Sequence, residues 1–202
     1  MSTKAEIREQ VLNDLFRTDL TSEVELAIDY AIRRLSSQPW WFLEKRDTIA
    51  TVSGGEYLDV TASLSTIKDI TITDGSWVHD LLPISLEEFN ERYISGSEYK
   101  GLPHYFTLYG SQLRLLPIPD ASYTVTLYYS MIPPTISAGA SNEWTTNYPD
   151  LVRREAGVDV AASVLRNKEL TMLLAGMREN AMSMAKSENT RRMASGRTKK
   201  RY

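Results

Sequence analysis

Pro39-Trp40-Trp41-Phe42-Leu43-Glu44-Lys45-Arg46-Asp47-Thr48-Ile49-Ala50-Thr51-Val52 is where the chain changes its hydrophobic period. Upstream of Pro39 the apolar residues recur at helical spacing. Ile7, Val11 and Leu15 fall at i, i+4 and i+8, with Leu12 and Phe16 widening the stripe, which predicts a helix over 4–18. Thr18-Asp19-Leu20-Thr21 breaks that pattern, and Ser22 followed by Glu25 predicts a capping box. A second helix then runs to about Ser37, with Val24, Ile28, Ala31, Ile32 and Leu35 on its buried face. Arg33 and Arg34 sit at its end, where cations complement the helix dipole. Pro39 stops it, because the residue before a proline avoids the α region.

Downstream the period is 2. Thr48–Val52 alternates, Ser53-Gly54-Gly55-Glu56 reads as a turn, and Tyr57-Leu58-Asp59-Val60 resumes the extended pattern, so a hairpin is expected over 48–60. Ile67, Ile70 and Ile72 mark another strand, Asp74-Gly75-Ser76 a turn, and Trp77–Leu81 a short strand. Ser85 with Glu88 signals a short helix over 86–93. Tyr105–Tyr109 and Gln112–Leu116 flank Gly110-Ser111, a two-residue hairpin signal. Tyr123–Ser130 alternates strongly, and Pro133-Pro134 closes the extended region.

After a Ser/Ala/Gly loop over 136–146, Asn147-Tyr148-Pro149-Asp150 opens a helix that runs to about Arg166, with Asn167 as its expected C-cap. A last helix is expected over 169–187, with Leu170, Leu173, Leu174, Met177, Ala181 and Met184 facing inward. Helices, then strands, then helices argue for an α+β fold. The expected layout is a bundle of long N- and C-terminal helices (residues 1–38 and 147–188), an inserted antiparallel β domain (39–146) and a basic flexible tail (189–202).

The residue inventory excludes much chemistry. With no cysteine in 202 residues, disulfides, zinc-thiolate sites and thiol nucleophiles are out. No apolar run approaches the roughly 20 residues that span a bilayer, so no membrane partner is expected. The imidazoles are His79 and His104 alone, and neither sits in a nucleophile elbow or a metal motif. Glu87, Glu88 and Glu91 could supply a carboxylate pair, but such a run more often forms a solvated helix face. No phosphate-binding glycine loop is present. No residue is therefore expected to serve catalysis, to bind a cofactor or to hold a metal. Trp40, Trp41 and Phe42 are expected to fill the corner between helix and sheet rather than to bind a ligand. Tyr123, Tyr128 and Tyr129 are assigned to packing, since no cation is interleaved with them.

Charge is unevenly spread. The net charge is −3, yet residues 189–202 carry Arg191, Arg192, Arg197, Lys199, Lys200 and Arg201 and no acid, a local +6 that leaves −9 on the rest. These six cations are the candidate partner-binding residues, an arm for an acidic protein surface or for nucleic acid.

The order of these features resembles the head-to-tail connector, or adaptor, proteins of tailed bacteriophages, particularly short-tailed ones. The features are the junction Ser37-Gln38-Pro39-Trp40-Trp41-Phe42, the segment Gly55-Glu56-Tyr57-Leu58-Asp59-Val60, the hairpin from Tyr105 to Pro119, the strand leading to Ile132-Pro133-Pro134, and Asn147-Tyr148-Pro149-Asp150-Leu151. The resemblance implies a structural virion protein at the head-tail junction, assembled in the host cytoplasm and not an enzyme. It implies a homo-oligomeric ring, commonly dodecameric, bound to the portal protein and to tail or nozzle proteins. DNA would pass through that ring without specific binding, which suits an acidic body. A nucleic-acid-binding module using the basic tail is the alternative.

Overall fold

The computed structural model describes residues 1–60, 63–93 and 99–195. In chain order its elements are α1 (Lys4–Asp14), α2 (Thr21–Leu35), a 3-10 turn (Trp41–Leu43), β1 (Glu44–Ala50), β2 (Tyr57–Asp59), β3 (Leu64–Asp74), β4 (Trp77–Asp80), β5 (Leu82–Pro83), α3 (Leu86–Arg92), β6 (Tyr105–Tyr109), β7 (Gln112–Leu116), β8 (Thr124–Met131), α4 (Glu143–Asn147), α5 (Pro149–Ser163) and α6 (Lys168–Ser195). The fold is α+β, as the grouping of periods predicts. The chain divides into a helical unit, Met1–Leu43 with the described part of Ile132–Tyr202, and a β unit, Glu44–Met131.

In the helical unit α1 starts at a true capping box, in which Thr3 accepts from the Glu6 amide and the Glu6 side chain answers the Thr3 amide. It ends earlier than its apolar pattern suggests. Phe16 turns left-handed (φ 52°) and stands 90% exposed, so it adds nothing to the buried stripe. The expected Ser22–Glu25 box does not form. Leu20 is the N-cap residue and is buried, Ser22 lies inside the first turn, and Glu25 instead accepts from Arg8 of α1 at 2.6 Å. Burying a leucine is worth roughly 1.5–3 kcal/mol, more than the roughly 1 kcal/mol of a side-chain cap, so the tertiary contact sets the helix start. The predicted face of α2 is buried throughout, from Val24 to Leu35.

α5 packs against α1, α2 and α6. Ion pairs tie these helices together, among them Lys4 of α1 with Asp29 of α2 at 2.8 Å, Arg34 of α2 with Glu155 of α5 at 2.8 Å, and Arg153 of α5 with Asp14 of α1. The aromatic junction is core, as expected for two of its three rings. Trp40 and Phe42 meet Trp144 edge-on at 5.1 and 5.0 Å. The indoles of Trp40 and Trp144 find acceptors, Trp40 Nε1 donating to the Leu35 carbonyl and Trp144 Nε1 to Ser36 Oγ, as most buried N–H groups do.

The C-terminal half departs from its sequence reading in three ways. The 136–146 segment contains the start of α4, which Asn142 caps. α5 ends at Ser163, and Asn167 caps the start of α6, accepting from the Leu170 amide, rather than closing α5. Of the residues expected inward on α6, only Leu174 is fully buried, and Ala185, which was not among them, is buried as well. Leu173, Met177 and Met184 are 58%, 41% and 76% exposed. α6 lies along α5, so one narrow stripe of its circumference is covered.

The β unit holds two four-stranded sheets, ordered β1-β8-β3-β4 and β2-β7-β6-β5. Among the described residues the strands pair antiparallel except at the short β5–β6 contact, and an isolated bridge between Lys100 and Ile118 is also parallel. The hairpins at Gly75-Ser76 and Gly110-Ser111 form with two-residue turns, and both glycines take positive φ, which L side chains avoid. The hairpin expected over 48–60 does not form. A turn occurs at Ser53-Gly54, but β1 pairs with β8 while β2 joins β7 in the other sheet. Ile70, Ile72, Val125 and Leu127 of one sheet pack in one cluster with Leu58, Phe106, Leu113 and Leu115 of the other.

Candidate interaction surface

α6 continues to Ser195, so the first cations of the basic segment ride on a helix. Local contacts explain the extra turns. Asn189 Nδ2 donates to the Pro39 carbonyl at 3.0 Å, and its Oδ1 accepts from the Trp41 amide at 2.9 Å. Arg192 donates to Glu188 at 2.8 Å, and its guanidinium lies 4.2 Å from the centre of the Trp41 ring. The other oxygen of Glu188 accepts from the Tyr148 hydroxyl at 3.1 Å. The Arg192 guanidinium, then the Tyr148 hydroxyl, holds the Glu188 carboxyl below the usual range. Burial pushes the Tyr148 phenol up.

The candidate cations thus differ in standing. Arg192 is used inside the helical unit, on the third ring of the aromatic junction. Arg191 is exposed and lines a groove of about 720 Å³ with Tyr148, Asp150, Met184 and Glu188. Arg197, Lys199, Lys200 and Arg201 lie outside the described residues.

The residues weighed for catalysis are scattered. His79 sits on β4 opposite Ile72, and the exposed His104 precedes β6 in the other sheet. Glu88 pairs with Arg92 one turn along α3, while Glu87 and Glu91 face solvent. Among the described residues no three His, Cys, Asp or Glu cluster as metal ligands would. A second groove, of about 580 Å³, runs past Arg34, Trp40, Glu155, Arg178 and Lys186. Its buried carboxylate, Glu155, is held by Arg34 at 2.8 Å and by Arg178 at 3.7 Å, an arrangement that locks three helices.

Sequence reasoning passed over the exposed apolar residues of α2 and expected those of α6 to face inward. Leu26 and Tyr30 of α2 are 57% and 56% exposed and lie opposite the Val24–Ile28–Ile32 face. On α6, Leu173, Met177 and Met184 share one flank, the side on which Met177 Sδ meets Arg154. The signal was present in α2, where Ser22, Leu26 and Tyr30 are spaced i, i+4, i+8 on the face that should be polar throughout.

Among the described residues no helix is long and apolar enough to cross a membrane. The family model described as SU10 adaptor protein matches residues 2–201. No curated protein matches the chain.

Proposed function

From the premise that the chain belongs to the SU10 adaptor protein family, phage head-tail adaptors and not an enzyme family, we propose that it builds a ring joining the portal of the head to the tail. The match over residues 2–201 carries this reading. Copies of the helical unit form the ring, commonly dodecameric in adaptors of this type. The ring continues the channel through which DNA passes, at the head-tail junction of the virion. The acidic body, −9 outside the last fourteen residues, repels phosphate and so lets DNA slide. Tail or nozzle proteins bind the far side.

The basic segment is the arm that docks on the portal. Arg191 and the cations at 197, 199, 200 and 201 reach an acidic portal surface, while Arg192 keeps the root of the arm fixed against Trp41. Electron microscopy of the purified protein mixed with portal rings tests the proposal. Ring-shaped density beneath the portal is expected. Portal rings that stay bare at every ratio of the two proteins would overturn it.

A further inference from the structure

Two helices of the helical unit, α2 and α6, each carry an exposed apolar edge. The outer edge of α2 carries Ser22, Leu26, Tyr30 and Arg33, diametrically opposite its buried face. The exposed flank of α6 carries Glu169, Leu173, Met177 and Asn180, and then Met184. These edges are not continuous. Within the unit α2 approaches α6 on the side of Arg178, Met182 and Lys186, which line the second groove with Arg34 and Leu35. The Leu173–Met177 flank lies on the other side, where Met177 meets Arg154.

The two edges match when laid antiparallel. At about 1.5 Å rise per residue, placing Arg33 beside Glu169 puts Tyr30 beside Leu173, Leu26 beside Met177 and Ser22 beside Asn180, each within one residue's rise. Charge fits the same register. Arg33 and Glu169 are exposed, and neither makes an ion pair among the described residues. Antiparallel alignment also sets the C-terminal end of α2, the negative pole of its dipole, beside the N-terminal, positive pole of α6.

We infer that the outer edge of α2 of one copy docks on the Leu173–Met177 flank of α6 of the next. The inference rests on the ring reading and names the surfaces that close the ring. Two different patches on one subunit make a head-to-tail contact, which generates a ring or a filament rather than a two-fold dimer. A single helix-on-helix contact falls short of the roughly 1,600 Å² of a standard interface. Free copies therefore associate weakly, and closure strengthens the contact because each copy then uses both edges.

The chain has no cysteine, so introduced thiols report unambiguously. A disulfide needs Cα atoms within about 7 Å. Tyr30→Cys and Leu173→Cys are made separately and together, and oxidised at high protein concentration with and without portal. The mixture of single variants is expected to give a disulfide dimer, each single variant alone none, and the double variant a ladder of higher multimers. Dimers from Tyr30→Cys alone would show a two-fold contact and overturn the inference. So would no disulfide in samples whose rings are visible by electron microscopy, which leaves the portal reading standing. A ladder in protein that never binds portal supports the interface and sinks the portal reading.

Discussion

The Glu155 carboxylate of α5 is buried, at 4% side-chain exposure, and accepts a hydrogen bond from Arg34 of α2, whose side chain is 55% exposed, at 2.8 Å. The pair is asymmetric. Removing the arginine strands a buried acid with only the more distant Arg178 to neutralise it, whereas removing the acid leaves guanidinium groups that water can reach. Arg34→Ala is expected to destabilise the helical unit by about 2 kcal/mol, while Glu155→Met, an apolar residue of similar volume, costs under about 1 kcal/mol. Urea denaturation measures both. Equal losses would show that the pair acts as an ordinary surface bridge.

Arg114 of β7 is the corresponding clip in the β unit. Its guanidinium lies 4.3 Å from the Phe89 ring and 4.8 Å from Tyr93, and it pairs with Glu56. A planar cation stacks on rings and meets a carboxylate at once, which an ammonium cannot do. Arg114→Lys keeps the charge yet is expected to lose about 1–2 kcal/mol of stability, with faster amide exchange in α3. Unchanged exchange over residues 86–92 would refute this role.

The root of the basic arm is pH-sensitive on the acid side. Glu188 has a lowered pKa in the folded chain because Arg192 and Tyr148 bond its ionised form. A depressed acid contributes stability above its unfolded pKa, and the contribution is lost as pH falls through the folded value. Amide protection factors at 186–195, which divide out the intrinsic pH dependence of exchange, should therefore fall once the pH drops below the ordinary carboxylate range, and Glu188→Gln should show low protection already at pH 7. A flat profile from pH 7 down to pH 3 in the unsubstituted protein would contradict the clamp.

Tyr129 is pushed up to about 12 by burial and by its hydrogen bond to Asp47 at 2.7 Å. A raised pKa means stability that is full below the unfolded value near 10 and lost as pH rises through about 12. Ultraviolet titration should show late-ionising phenols, with one fewer in Tyr129→Phe. That variant is expected to lose about 1 kcal/mol at pH 7. Ionisation of every tyrosine near pH 10 would exclude this environment.

Deleting residues 196–202 removes four of the six candidate cations and spares Asn189 and Arg192, which hold α6. Circular dichroism should be unchanged, and portal binding should fall at least tenfold at moderate salt. Undiminished binding would free the arm of its proposed role. A steeply salt-dependent DNA affinity lost with the deletion would favour the nucleic-acid alternative instead.

Much of this architecture was legible because it is local. The period change after Pro39, the Gly75 and Gly110 turns and the Ser85 cap each follow from residues within a few positions of one another, and each is found. The Ser22–Glu25 box and the 48–60 hairpin read equally well and do not form, because Leu20, Arg8 and β8 offered distant partners worth more. The candidate surface was half visible. Its cations are plain in the sequence, but the capture of Arg192 by Trp41, 151 positions away, is not.

By itself, then, the sequence determined the α+β class, the core face of α2 and the basic segment near the C-terminus, since periodicity and charge are properties of neighbouring residues. Only the tertiary structure decided that β1 pairs with β8 across some eighty intervening positions and that α6 leaves Leu173, Met177 and Met184 uncovered. Strand partners and covered faces depend on what the rest of the chain brings alongside, and no local pattern encodes that.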